Sequence, residues 1–259
     1  VNIRDEAVLR EFNLYPLWVG KDLPPPLVRD TQGTSVAPSV LTQVGADPLT
    51  IELKTAPSRD TEKQKTEPVL FRKNSEDADW PALKQHVQDC TACKLRPGCT
   101  QTVFGVGDQK AEWLFVGEGP GADEDEQGEP FVGQAGKLLD NMLAAIKLKR
   151  GQNVYIANVV KCRPPNNRTP EADEIAQCLP YLQRQIALIK PKLIVALGKT
   201  AATALLGRDA TLGSLRGTIH EYQGIPLIIT YHPAYLLRSP AEKAKAWQDL
   251  CFAVATYSA

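Results

Sequence analysis

The chain has 259 residues, 43% of them hydrophobic and 7% aromatic, with 30 basic and 30 acidic side chains. That composition suffices for one sizeable core, and no apolar run approaches the roughly 20 residues that a membrane-spanning helix needs. A net charge of zero excludes a broadly basic nucleic-acid coat, but residues 1–79 carry 10 basic and 13 acidic side chains and residues 80–259 carry 20 and 17, so a local basic patch on the second part is permitted.

In chain order, Val8, Leu9, Phe12 and Leu14 share one face of a short helix-like segment within residues 1–20, which reads as a partner-docking peptide. The opening Val1-Asn2-Ile3-Arg4-Asp5-Glu6 is too polar for a secretory signal, so a soluble, cytoplasmic protein is expected. Residues 21–75 are rich in Pro, Thr, Ser and charge, include Pro24-Pro25-Pro26, and lack apolar periodicity. They read as a flexible, disordered linker.

From residue 76 to 259 strand and helix signals alternate. Trp113–Val116, Val154–Ile156, Leu193–Leu197 and Leu227–Ile229 are short apolar runs, as buried parallel strands are. Between them lie a helix face marked by Leu138, Leu139, Met142, Leu143 and Ile146, a helix capped at Thr169-Pro170 and running through Cys178 toward Ile189, and a helix over 199–206. Gln223-Gly224 reads as a hairpin turn, and a last helix covers 240–256. The pattern predicts a three-layer α/β/α fold with a central, mainly parallel four-stranded sheet, whose ligand site lies at the carboxyl ends of the strands.

Six cysteines without a signal peptide argue for metal ligation or free thiols over a disulfide framework. Cys90-x-x-Cys93 has chelating spacing, and Cys162 and Cys178 supply a second pair, so four thiolates suit either zinc or an iron–sulfur cluster. Spacing alone leaves that choice open. Cys99 and Cys251 remain as free thiols.

Gly117-Glu-Gly119-Pro-Gly121 follows the first of these strands and continues into the acidic, glycine-rich stretch Glu124–Gly136. Three glycines let backbone N–H groups approach a ligand, yet the Gly-x-Gly-x-x-Gly spacing of a dinucleotide site is absent. Gly198-Lys199-Thr200 lacks the earlier glycine of a phosphate-binding loop, where Leu193 stands. Asn158 ends the second of these strands and His232 the fourth, so both fall at one sheet edge, where they suit a polar planar ligand.

Together with both cysteine pairs, the stretches Gly117–Gly121, Glu124–Gly136, Asn158–Pro165 and His232–Arg238 resemble the family 4, iron–sulfur uracil-DNA glycosylases. The resemblance covers essentially the whole chain from about residue 80. It implies a [4Fe–4S] cluster on Cys90, Cys93, Cys162 and Cys178, with zinc as the alternative that spacing allows. It also implies excision of uracil from single- and double-stranded DNA, leaving an abasic site. By motif position, Phe131 would stack on the flipped base and Asn158 would read uracil N3–H and O4. Glu124 would crowd ring carbon 5, and His232 would support O2. The backbone of Glu118 and Gly119 would complete the pocket floor, with Glu118 positioning water. Relatives in the wider superfamily carry aspartate where this chain has Gly119. Tyr235, Leu236 and Leu237 would fill the vacated stack, while Arg238, Arg163 and Arg168 would contact phosphates. Residues 163–169 lack histidine, so covalent capture of the product is not expected.

Residues 1–20 faintly resemble the N-terminal peptide of the psi subunit of the bacterial clamp loader, which implies a tether to replication machinery at the nucleoid. A monomer is expected. A non-catalytic metal protein that binds nucleic acid or carries electrons would share the cysteines, but it has no use for Phe131, Asn158 and His232 on one edge.

Overall fold

The computed structural model describes residues 78–258; the expected docking peptide at 1–20 and linker at 21–75 lie outside the described residues. Helix α1, Trp80–Gln88, starts where the Asp79 carboxylate accepts from the Ala82 N–H at 3.0 Å, with proline in the first turn. Its Leu83 and Val87 are buried.

Among the described residues the strands are β1 (Val106–Gly107), β2 (Trp113–Gly117), β3 (Val154–Asn158), β4 (Leu193–Leu197), β5 (His220–Tyr222) and β6 (Ile225–Thr230). They form one sheet in the order β1-β3-β2-β4-β6-β5. The central four, β3-β2-β4-β6, are parallel, and β1 and β5 pair antiparallel at the edges. The sheet therefore has six strands rather than the expected four. Both additions are edge strands of two and three residues, too short to carry an alternating or continuous apolar signal.

Side chains along the central strands alternate between two cores. Leu114, Val116, Ala157, Ile194, Ala196 and Ile229 face one side. There they meet α1, α4 (Ala172–Ile189), α5 (Lys199–Leu206) and α6 (Leu212–Leu215). Trp113, Phe115, Ile156, Val195 and Ile228 face the other. They pack on α3 (Gln134–Ala145), α7 (Pro233–Arg238) and α8 (Lys243–Tyr257). The three layers follow from that alternation. Helix α2, Ala122–Gln127, lies in the loop after β2.

Two helix starts differ from expectation. Helix α4 is capped by Glu171 rather than Thr169, because the Glu174 carboxylate accepts from the Glu171 N–H at 2.7 Å. The last helix begins as a 3-10 turn over Pro240–Glu242 before α8 proper. No described helix is long and apolar enough to cross a membrane.

Parallel pairing sets Gly117 opposite Asn158 and Leu197 opposite Thr230. The loops after β2, β3, β4 and β6 consequently open on the same edge.

Candidate active site

A cavity of about 490 Å³ occupies that edge, and Glu118, Gly119, Glu124, Phe131, Asn158 and His232 all line it. Six expected pocket residues, drawn from three separate loops, thus share one space.

Asn158 ends β3 and is 2% exposed. Its backbone carbonyl accepts from Lys161 Nζ at 2.9 Å, but its side-chain Oδ1 has no partner. An unpaired buried acceptor costs about 1–3 kcal/mol. Asn158 is also a lining residue of the cavity, so a ligand donor bound there could meet that cost. A side chain at Gly117 would bring Cβ to 2.4 Å from Asn158 Oδ1 and 2.6 Å from Phe131 Cζ. Glycine there is a spatial requirement of the pocket.

Phe131 is 5% exposed, adopts φ 56° and stacks on His232 with centroids 5.5 Å apart and planes at 29°. A bulky residue in this left-handed region costs on the order of 1–3 kcal/mol and persists only when its surroundings hold it. The turn is held on both sides. Glu124 accepts from the N–H groups of Val132 and Gly133 at 2.9 and 3.1 Å, and from that of Gly121 at 3.0 Å. Arg150 donates to the carbonyls of Pro130 and Phe131 at 2.9 and 2.7 Å. Gly136 allows the turn to lie against α3, since a Cβ there would sit 1.8 Å from the Phe131 carbonyl oxygen.

His232 caps α7, its Nδ1 accepting from the Ala234 N–H at 3.1 Å. A ring nitrogen that accepts carries no proton, so in the neutral ring the proton lies on Nε2. Burial, with the Arg238 guanidinium nearby, holds the imidazole at about 4 instead of 6.5. Near neutral pH the site thus offers an uncharged Nε2–H donor.

Glu118 bonds outside its own loop, its carboxylate accepting from the Thr200 hydroxyl in the first turn of α5. A Cβ on Gly119 would meet Val160 Cγ2 at 2.7 Å, so the space for a larger residue there is already taken.

The expected DNA contacts divide. Tyr235 and Leu237 are 39% and 44% exposed, but Leu236 is fully buried in the core with α3 and α8. Leu236 is therefore not available to fill a vacated stack. Arg238 and Tyr235 line the cavity. Tyr235 stacks on Tyr231 at 5.3 Å, and the Arg216 guanidinium lies over the Tyr231 ring at 4.5 Å. Arg163 lies outside the cavity lining, and its Nε donates to Asn167 Oδ1 at 2.7 Å. Arg168 lines the cavity but holds buried Glu174 in a bidentate pair at 2.7 and 2.8 Å, which draws that carboxyl below its usual range. Its guanidinium shapes the loop before α4.

Cys90, Cys93, Cys162 and Cys178 line one mainly apolar space with Val87, Leu95 and Tyr181. Cys178 Sγ accepts from the Lys161 backbone N–H at 3.2 Å. Burial pushes the Cys178 thiol up to about 12 and those of Cys93 and Cys162 in the same direction, so without a metal they stay protonated at neutral pH. Among the described residues no three ligand side chains close around a single ion. Four soft donors brought to one space by the segment at 90–93, the loop after β3 and α4, with a backbone N–H already on one sulfur, fit the thiolate set of an iron–sulfur cluster.

Three supporting residues carry no sequence signal for the role they play here. Lys161 is 1% exposed and donates to Asn158 O and to Gln185 Oε1 at 2.7 Å. Arg150 and Thr200 act across 19 and 82 positions. Nothing local distinguishes these three from surface residues.

The profile of the Uracil DNA glycosylase superfamily matches residues 104–251. The chain is 46% identical over 182 residues to the type-4 uracil-DNA glycosylase of Pyrobaculum aerophilum, covering 66% of this chain and 91% of that protein. It is 46% identical over 166 residues to the type-4 enzyme of Archaeoglobus fulgidus, covering 61% and 83%. Against the type-4 enzyme of Thermotoga maritima it is 44% identical over 165 residues, covering 63% and 85%. With the matched span containing the whole cavity edge, this chain belongs to the uracil-DNA glycosylase superfamily, in its type-4 branch.

Proposed function

We propose that this chain is a monofunctional uracil-DNA glycosylase that hydrolyses the N-glycosidic bond of a flipped-out uracil and leaves an abasic site, a step of base excision repair. The observation that carries the reading is one cavity lined together by Asn158, whose buried Oδ1 has no protein partner, by Phe131 and by His232, whose Nδ1 already accepts from the chain.

The base leaves the stack to reach the cavity and stacks on Phe131. Asn158 Oδ1 accepts from uracil N3–H, and its amide N–H donates to O4. Cytosine presents the reverse pattern and would leave two buried groups unpaired, at about 1–3 kcal/mol each. As the C1′–N1 bond breaks, its electron pair moves to the departing base and charge collects on O2. The Nε2–H of His232 donates to that oxygen, stabilising the developing anion. Water adds to C1′ and passes its proton to the Glu118 carboxylate, which Thr200 orients. Glu124 contributes by bracing the loop beside ring carbon 5. Tyr235 and Leu237 fill the vacated stack, and Arg238 contacts a phosphate.

Cys90, Cys93, Cys162 and Cys178 would hold a [4Fe–4S] cluster whose contribution is a cross-link between the segment around residue 90, the loop after β3 and α4. Iron and sulfide content of purified protein distinguishes it from zinc. A DNA substrate supports a cytoplasmic location at the nucleoid, where the protein would act as a monomer. Residues 1–20 tether it to the clamp loader; failure of that peptide to recover clamp-loader subunits would remove the tether.

Incubating the protein with a uracil-bearing oligonucleotide, then cleaving abasic sites with alkali, tests the activity. Cleavage by the wild type and loss in His232→Ala is expected. No cleavage by the wild type would return the chain to a non-catalytic metal protein. Full single-turnover excision by Glu118→Gln would remove the water role.

A further inference from the structure

We infer that Arg150 is a positioning residue for base recognition, fixing the Phe131 platform through the carbonyl side of its strained turn. The inference rests on the uracil-excising reading above and names what gives that pocket its rigid wall.

Three consecutive peptide units at 130–133 are gripped by opposite charges on opposite sides. Glu124 takes two N–H groups at 2.9 and 3.1 Å, and Arg150 takes two carbonyls at 2.9 and 2.7 Å. Between them Phe131 sits at φ 56°, a conformation that its own backbone disfavours. Arg150 is itself aimed by Asp140, whose Oδ1 accepts from Nε at 2.9 Å. The guanidinium thus uses all three nitrogens at once, with two of them forked onto neighbouring carbonyls. A lysine ammonium lacks that planar fork.

The plainer role for Arg150 is a surface ion pair with Asp140, whose side chain is 48% exposed. Such pairs contribute little, and that role predicts no effect on the base. The fork onto Phe131 predicts a specific one. If the ring shifts by a fraction of an ångström, the stack on His232 and the fit of a planar base change together. Misplacement of about 1 Å can cost about 100-fold in rate.

The test compares wild type, Arg150→Ala, Arg150→Lys and Asp140→Asn at saturating uracil-bearing DNA. Arg150→Ala should lose about 10–100-fold in single-turnover rate. Free uracil should inhibit it correspondingly less, while affinity for abasic-site DNA stays within about twofold, since the exposed contacts of α7 are untouched. Arg150→Lys should recover only part of the loss, and Asp140→Asn, which keeps both carbonyl bonds, should fall least. Fluorine NMR of protein labelled with fluorophenylalanine reads the clamp without activity: the Phe131 line should broaden or split in Arg150→Ala. An unchanged rate in Arg150→Ala would overturn the inference. Equal losses of rate, abasic-site affinity and thermal midpoint, or full recovery by Arg150→Lys, would overturn it too. A wild type that excised nothing, but whose Phe131 line still depended on Arg150, would sink the uracil reading and leave the clamp standing.

Discussion

The loops that leave β2 and β3 start from paired residues, Gly117 opposite Asn158, yet they are held by different means. The β2 loop is closed by a carboxylate on its N–H groups and a guanidinium on its carbonyls, all from groups that need no added cofactor. The β3 loop carries Cys162, which shares one space with Cys178, whose sulfur accepts from the Lys161 N–H. Beside the ties of Lys161 and Arg168, the proposed cluster would be its added brace. The wall on which the base would stack is thus built into the polypeptide. The strand end that would read the base would gain its further support from the proposed cluster.

Gly117→Ala strikes both loops at once, because its Cβ would contact Asn158 Oδ1 and Phe131 together. Single-turnover excision should drop about 100-fold or more, with a stability loss of about 1–3 kcal/mol from overpacking. Retention of normal excision would show that the two loops have slack. Cys178→Ala should come next, lowering excision and DNA binding by about 10–100-fold with loss of bound iron. Limited proteolysis should then cut within 163–169 while 118–136 stays protected; equal cutting in both loops would erase the contrast. An intact cluster-free enzyme would remove the metal from the account of the β3 loop.

Lys161→Met keeps the thiols but leaves Asn158 O and Gln185 Oε1 without their donor. A stability loss of about 1–3 kcal/mol in urea is expected, together with slower excision at unchanged iron content. The smallest effect is one of pH. The chain has three histidines, and the ring of His232, held at about 4, should stay neutral from pH 8 down to about 5 by NMR and gain its proton only as the pH falls through about 4. Because the neutral ring is the working form, excision should not fall on this account above pH 5. A midpoint near 6.5 would contradict a ring desolvated in the pocket and under the influence of Arg238.

What was legible in the sequence follows from how local each signal is. The central strands were readable because burial on both faces makes each a continuous apolar run, such as Leu193–Leu197. The edge pair Val106–Gly107 holds too few residues to show a pattern. The cap of α4 moved from Thr169 to Glu171 because Glu174 reaches back to it. Phe131, Asn158 and His232 sit in distinctive loops, and the cavity gathers all three. Leu236 is indistinguishable from its neighbours in the sequence, because Tyr-Leu-Leu gives no sign of which side chain turns inward on a short helix. Arg150 and Lys161 look like ordinary solvated cations, and only the tertiary structure puts a carbonyl pair before one and a buried glutamine before the other.

The central claim is that Asn158 reads uracil through an acceptor that no protein group satisfies. Single-turnover excision on otherwise identical oligonucleotides carrying uracil, cytosine or thymine, by wild type and Asn158→Ala, tests it most directly. Cleavage at uracil alone by the wild type is expected, with at least about 100-fold loss in Asn158→Ala, since two base contacts go at once. Equal excision of uracil by both proteins, or cytosine removed as readily as uracil by the wild type, would contradict it.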